Sequence, residues 1–230
     1  MQKLESRQQV KTKVIECLEQ RGYEVTENAK LRGKSGVEHP FDLLAQRDDG
    51  FISYTIVSGI IIANDEIGLE SVFNFDARAY DAGIRTKVLI AIPKLTRDAK
   101  EFAQRQRIKV FDDEGIETLL ASLPPQRVKM SKPFRFETES QLSESLTNLG
   151  YKVDDLSNFI RRSGAEYTFN LIAYNGDDIV THSMGIDILK GEKEVDLAQL
   201  SLYDTKAYDV GIHDKVIFVS PGLSPEAKQF

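Results

Sequence analysis

Few residues in this 230-residue chain have types and spacings suited to chemistry. Cys17 is the one cysteine, and with only His39, His182 and His213 beside it, an internal disulfide is excluded and a Cys/His zinc site has too few ligands. Three acid-x-Lys triplets occur, Asp98-Ala-Lys100, Asp204-Thr-Lys206 and Glu226-Ala-Lys228. All fall in segments with helical spacing, where a solvated helix surface explains them. Lys30, Arg32 and Lys34 alternate, so on an extended segment they share a face. Arg161-Arg162 stand near the matching point later in the chain, and Arg105, Arg107 and Lys109 form a further basic group. Such groups contact phosphates through charge alone, and no aromatic residues interleave with them in sequence. There is no GxGxxG or GxxxxGK[ST] loop to cradle a nucleotide, so no organic cofactor is expected, and Gly33-Lys34-Ser35-Gly36 reads as a turn.

The elements that must position these residues come in two matching sets. Sliding the chain along itself by 128 residues, without a gap, pairs Gly22-Tyr23 with Gly150-Tyr151 and Ser35-Gly36 with Ser163-Gly164. The same slide pairs Ala79-Tyr80-Asp81 with Ala207-Tyr208-Asp209, Lys87-Val88 with Lys215-Val216, and Pro93 with Pro221. Ungapped identity of this extent implies two tandem copies of one domain. The boundaries expected are residues 1–123 and 136–230, joined by a basic, proline-containing linker over 124–135. The Tyr-Asp pairs are attributed to packing, since Tyr-Asp followed by Gly closes a helix well.

Within the first copy, Val10, Val14, Cys17 and Leu18 fall on one helical face that stops at Gly22. Tyr23–Thr26 or Lys30–Arg32 supplies a first strand. Phe41–Gln46 and Phe51–Ile62 read as strands joined by an Asp-Gly turn. Glu66–Ala82 has helical spacing, and Lys87–Ile92 is an apolar run suited to a central strand covered on both faces. A helix over Arg97–Gln106, a strand over Ile108–Phe111 and a helix over Asp113–Ser122 complete an α/β fold, a central mixed sheet flanked by helices. The second copy ends at Phe230, the counterpart of Phe102, so its sheet is expected to lack the last strand and to leave an edge that another chain or further sequence would cover.

Composition excludes several classes. Hydrophobic residues make up 41% and charged residues 29%, which suits a globular protein, and no apolar run is long enough to span a membrane. With a polar N-terminus as well, a cytoplasmic location is expected. The net charge of −6 supplies no overall basic field, so any nucleic-acid contact must use local patches.

The stretch GKSGVEHPFDLLA (Gly33–Ala45), with the helix-strand-strand-strand-helix-strand order around it, resembles the PD-(D/E)xK restriction-endonuclease-like superfamily in its archaeal Mrr-type branch. The resemblance implies that Asp42 and an acid-x-Lys on the following strand hold Mg²⁺ against a scissile phosphate. It also implies an assisting acid on the first helix, for which Glu16 and its repeat partner Glu144 fit. Hard oxygen ligands and a nearby cation are what phosphodiester hydrolysis requires.

The chain departs from that pattern twice. The first copy keeps Asp42, but its next strand, FISYTIVSGIII, has neither acid nor lysine, and Gly59 stands where the second copy has Asp187. The second copy keeps Asp187 in SMGIDILK, but Asn170 replaces Asp42 and the lysine falls at Lys190 rather than at 189.

The expectation is therefore a catalytically degenerate nuclease-like protein, with Asp42 and Glu16 as vestigial catalytic residues and Asp42 and Asp187 as remnants of a metal site. Lys30, Arg32, Lys34, Arg161 and Arg162 would meet DNA or another nucleic acid. One alternative is a Mg²⁺-dependent endonuclease completed by Asp42 with Glu16 and Glu70, or by residues of both copies. Another is a structural module that dimerises through an exposed sheet edge.

Overall fold

The computed structural model describes residues 6–122, 136–155, 158–159, 167–212 and 214–230. These form two compact units, the first holding the described residues up to 122 together with 177–180, the second holding 136–176 and 181–230.

In the first unit, α1 (Arg7–Gln20) opens with a capping box in which the Ser6 hydroxyl accepts from the Gln9 N–H and the Gln9 side chain accepts from the Ser6 N–H. Its buried face is the predicted Val10, Val14, Cys17 and Leu18, joined by Lys11. Gly22, at φ +80°, closes it as expected.

The two candidate first strands are parts of one, β1 (Glu24–Arg32), antiparallel to β2 (Glu38–Asp48). Between β2 and β3 (Ser53–Ile62) the Asp49 carboxylate accepts from the N–H groups of Phe51 and Ile52. That draws these two residues into the turn, so the strand starts later than their hydrophobicity suggests. The helix expected from Glu66 is α2 (Leu69–Asp81), shorter because Ile67 bridges to Leu95 and Gly68 supplies the N-cap.

The central strand β4 (Thr86–Ile92) is buried from Val88 onward and lies parallel to both β3 and β5 (Ile108–Phe111). Helices α3 (Arg97–Arg105) and α4 (Asp113–Ala121) complete the order, and the sheet runs β1-β2-β3-β4-β5. The α2 face of the sheet packs Phe41, Val57, Val72, Phe75, Ala79 and Leu89 together.

Residues 177–180 enter this unit through Asp177, whose side chain is fully buried. Its Oδ2 accepts from Arg47 Nη1 (3.0 Å) and the Tyr23 hydroxyl (2.6 Å), while Arg21 Nε donates to its carbonyl (2.9 Å). The Arg47 guanidinium lies between the rings of Tyr23 and Tyr54, 4.4 and 4.7 Å from their centroids.

The second unit follows the same order through α5 (Glu139–Asn148), β6 (Lys152–Asp155), the short pair β7 (Asn158–Phe159) and β8 (Tyr167–Thr168), β9 (Leu171–Gly176), β10 (Thr181–Lys190), α6 (Leu197–Val210) and β11 (Asp214–Ser220). Its main sheet runs β11-β10-β9-β6, antiparallel except for the parallel β10/β11 pair, which matches the β4-β3-β2-β1 part of the first sheet. Among the described residues β11 has a strand neighbour on one side only.

Details recur at the 128-residue spacing. Lys87 pairs with Asp76 (2.5 Å), and Lys215 with Asp204. The Phe41 and Phe75 rings meet edge-on at 6.3 Å, as do those of Phe169 and Tyr203. No helix among the described residues is long and apolar enough to cross a membrane.

Candidate functional site

In the second unit a polar cluster forms where β9 begins. Asn170 precedes that strand, and its Oδ1 accepts from the Ile188 N–H (2.9 Å) on β10. Its backbone N–H donates to Asp187 Oδ1 (3.2 Å), and its amide nitrogen donates to Glu139 Oε2 (2.9 Å), in the first turn of α5. Lys206, on α6, places its ammonium 2.5 Å from Asp187 Oδ2, against the Thr168 carbonyl and 4.1 Å from the Phe169 ring centroid. Tyr203 shares its hydroxyl between the carbonyls of Gly185 (2.6 Å) and Val216 (2.9 Å). Burial, and then the nearby Asp187 charge, push the Tyr203 phenol well above its ordinary pKa.

Sequence reasoning missed two members of this cluster. The helix acid that reaches it is Glu139, whereas Glu144 is exposed on α5. Comparing the copies hides Glu139, because Lys11 occupies its place in the first. Lys206 belongs to the Asp204-Thr-Lys206 triplet expected on a helix surface, yet its side chain is only 11% exposed. The helical period places it three residues beyond the core residue Tyr203, which is the signal that could have found it. Lys190 turns away and donates to the Glu137 carbonyl (2.8 Å).

The equivalent place in the first unit is built from different chemistry. Asp42 Oδ2 accepts from the Ile60 N–H (2.8 Å), the cross-strand bond that Asn170 repeats with Ile188. Its Oδ1 is paired with Arg7 Nη2 (2.6 Å) at the start of α1. Glu16 is exposed nine residues further along α1, about 13 Å of helix beyond Arg7. Lys11 is buried and bonded to Glu27 (3.0 Å) and Asn28 (2.9 Å). At Gly59 an added Cβ would lie 3.0 Å from Phe75 Cδ2 and 3.2 Å from Leu89 Cδ1, so core side chains fill the space an acid would need. Asp42, Glu16 and Glu70 are not gathered into a metal-holding group, and no such group of Asp, Glu, His or Cys is present among the described residues.

The donor sets therefore do not suit Mg²⁺ as arranged. In the first unit one carboxylate is neutralised by a guanidinium. In the second, an amide N–H group and an ammonium take up oxygens that a hard cation would use. Asp187 and Asp42 are in different units and each serves its own.

The Ser35-Gly36 loop is held by Asp81. Asp81 Oδ1 accepts from the Ser35 N–H (3.0 Å), and its Oδ2 meets the Ser35 hydroxyl (2.5 Å) and His39 Nε2 (2.6 Å). The Ser35 hydroxyl, then His39, hold the Asp81 carboxyl down to about 2. His182 is buried on β10, 3.4 Å from Asp214. Lys30 and Arg32 are exposed on one face of β1, and Lys34 is exposed in the turn that follows. Arg161, Arg162 and His213 lie outside the described residues.

The family comparison agrees with the architecture of the first unit. The family model Mrr_cat, described as restriction endonuclease, matches residues 4–120, and the chain belongs to that family. An uncharacterized protein of Archaeoglobus fulgidus is 57% identical over 30 residues, which is 13% of this chain and 23% of that protein, well under two thirds of its length. The crystal structure of a protein of unknown function, AF1548, is similar over 62% of this chain and 78% of its own, with 23% identity and a TM-score of 0.43.

Proposed function

We propose that the chain is a catalytically degenerate nuclease-fold protein that binds nucleic acid, built by tandem duplication from copies spanning residues 1–123 and 136–230. One observation carries this reading: the position held by Asp42 and Asn170 accepts a strand-to-strand N–H bond in both units, and in neither does it offer a free carboxylate, since Asp42 is paired with Arg7 and Asn170 is an amide. Metal-assisted phosphodiester hydrolysis, the chemistry that the family pattern implies, needs at least two hard ligands converging on one ion. Arg7 neutralises one candidate and Asn170 removes the other. The basic residues Lys30, Arg32 and Lys34, exposed at the end of β1 and in the turn after it, support binding through phosphates.

The test combines a cleavage assay on single- and double-stranded DNA and RNA, with Mg²⁺ or Mn²⁺, and a binding titration at increasing salt. No cleavage, with log affinity falling linearly against log salt, is the expected result. Cleavage abolished by Asp42→Ala or Asp187→Ala would overturn degeneracy, and absence of binding to every nucleic acid would overturn the binding role.

A second reading, a metal-dependent nuclease centred on the second unit, is favoured by the gathering of Glu139, Asp187 and Lys206 around Asn170. In that reading Lys206 supplies the cation that the strand lacks, and its removal would abolish cleavage.

A further inference from the structure

We propose that Tyr80, set beside Lys34, is a stacking platform for an unpaired nucleobase, and that Tyr208 is its counterpart in the second unit. The inference rests on the nucleic-acid reading above and narrows its ligand to single-stranded or splayed-out nucleotides.

Packing does not account for these tyrosines. Tyr80 is 78% exposed and Tyr208 74%, while the residues before them, Ala79 and Ala207, are fully buried. The helices thus turn their alanines to the core and their tyrosines to water. Phe73, two turns earlier on α2, leans on the Phe102 ring at 5.9 Å and has a packing explanation. Tyr80 instead has an ammonium beside it, Lys34 Nζ at 6.0 Å from the ring centroid. Its face is available to another planar group, and the basic residues that follow no aromatic in sequence acquire one in space.

The platform is built before any ligand arrives. The Lys34 N–H donates to the Asp81 carbonyl (2.9 Å), and a Cβ added at Gly83 would lie 3.8 Å from Lys34 Cε, so the lysine runs along the end of α2. Asp81 fastens the loop through Ser35 and His39. Gly33 is confined, because a Cβ there would sit 1.8 Å from Asp81 Oδ2. Asp81, Ser35 and His39 are therefore positioning residues that hold Lys34 against the α2 end, and a fixed platform spends little ordering entropy on binding.

Three negative features lie nearby. The Asp81 carboxylate is taken up by Ser35 and His39, the carbonyl end of α2 is partly negative, and Glu38 stands opposite Arg32 in the β1/β2 register. Lys34 and the exposed Lys30 supply the positive charge for phosphates. Inside a duplex both faces of a base are covered by its neighbours, so stacking on a protein ring selects single strands, ends and mismatches. A protein partner would gain the same ring but would not call for the lysines around it.

The experiment is fluorescence anisotropy on the full chain, with a labelled single-stranded DNA of about 20 nucleotides and the blunt duplex of the same sequence. Tyr80→Ala is expected to weaken single-strand binding about tenfold and duplex binding little, since one base stacked on an aromatic ring is worth that order. Tyr80→Phe should bind within about twofold of the wild type, because the ring is what stacks. Adding Tyr208→Ala should weaken single-strand binding further. Thermal unfolding coincident with the wild type shows that these exposed changes leave the fold intact.

Single-strand binding unchanged in the Tyr80→Ala, Tyr208→Ala double variant overturns the stacking proposal while leaving phosphate binding standing. A change in self-association with unchanged nucleic-acid binding also overturns it, in favour of a protein contact. Failure of the wild type to bind any nucleic acid removes this proposal and the reading beneath it together.

Discussion

Introducing one carboxylate tests whether a single substitution separates the second unit from a metal site. Asn170→Asp would place three acids, at 139, 170 and 187, around the point where Asn170 now bonds both of its neighbours. Without a divalent ion the change is costly. The bond to Glu139 Oε2 is lost, about 1.5–3 kcal/mol for a hydrogen bond to a charged group. A new like charge about 4 Å from another is worth roughly 4 kcal/mol at an effective dielectric of 20, part of which Lys206 offsets. The new carboxyl relieves the rest by keeping a proton, so its folded pKa rises above its unfolded value. A raised carboxyl pKa costs stability as pH climbs above the unfolded value, so the metal-free variant should lose more at pH 8 than at pH 5. A net loss of about 2–4 kcal/mol at pH 8 is expected from these terms.

Divalent ion should then reverse the loss. Ion at about 100 times its dissociation constant returns about 2.7 kcal/mol, or a rise of roughly ten degrees or more in a domain of this size. Thermal unfolding with and without 10 mM MgCl₂ or MnCl₂ reads this directly. The wild type should be indifferent and the variant should respond. An equal metal-dependent rise in the wild type would refute the argument that Asn170 and Lys206 block the site. A variant with no response at any divalent concentration would refute the geometry of the three acids.

Other outcomes follow from the same contacts. Gly59→Asp cannot be the mirror repair in the first unit: its Cβ meets Phe75 and Leu89, so it should destabilise by roughly 1–3 kcal/mol through overpacking and give no metal response, read by urea unfolding with and without Mg²⁺. Asp177→Ala leaves Arg47 buried and without its carboxylate, and should cost about 3–5 kcal/mol in urea unfolding. Asp81 has a folded pKa near 2, below its unfolded value, so the stability it supplies is present above about pH 4 and disappears as pH falls toward 2. Acid titrations monitored by circular dichroism should therefore show a shallower loss over that window in Asp81→Asn than in the wild type.

What could be read from the sequence depended on how local its cause was. The α1 face, the buried run of β4 and the two-part organisation follow from periods and from identities at a fixed spacing. Asp49 and Asp177, 128 residues apart, show where that reasoning ends, because their work differs beyond the turn. Each accepts from backbone N–H groups of its own hairpin turn, Asp49 from Phe51 and Ile52 and Asp177 from Val180, but Asp177 also pairs with Arg47, 130 residues away in sequence. No local pattern distinguishes them. Glu139 and Lys206 were hidden for a related reason: the residues 128 positions earlier, Lys11 and Arg78, carry other chemistry, and identities at a fixed spacing say nothing of the positions at which the two units differ.

The two units differ in how far each stands from a metal-holding arrangement. In the first, the obstacle is spread through the core: Phe75 and Leu89 close over Gly59, Lys11 stands at the helix position, and Arg7 covers the one carboxylate. Removing it would require several coordinated changes against a filled interior, where each added methylene meets packed neighbours. In the second, Phe169 and Tyr203 leave Asp187 its place, Glu139 and Lys206 stand within bonding distance of the cluster, and one amide replaces one carboxylate. On the proposed reading the second unit is therefore the one closer to a metal-holding arrangement, and a nucleic acid would meet the first unit at its surface. The exposed Tyr80 and the lysine loop that Asp81 pins beside it are the part of that surface suited to receive one.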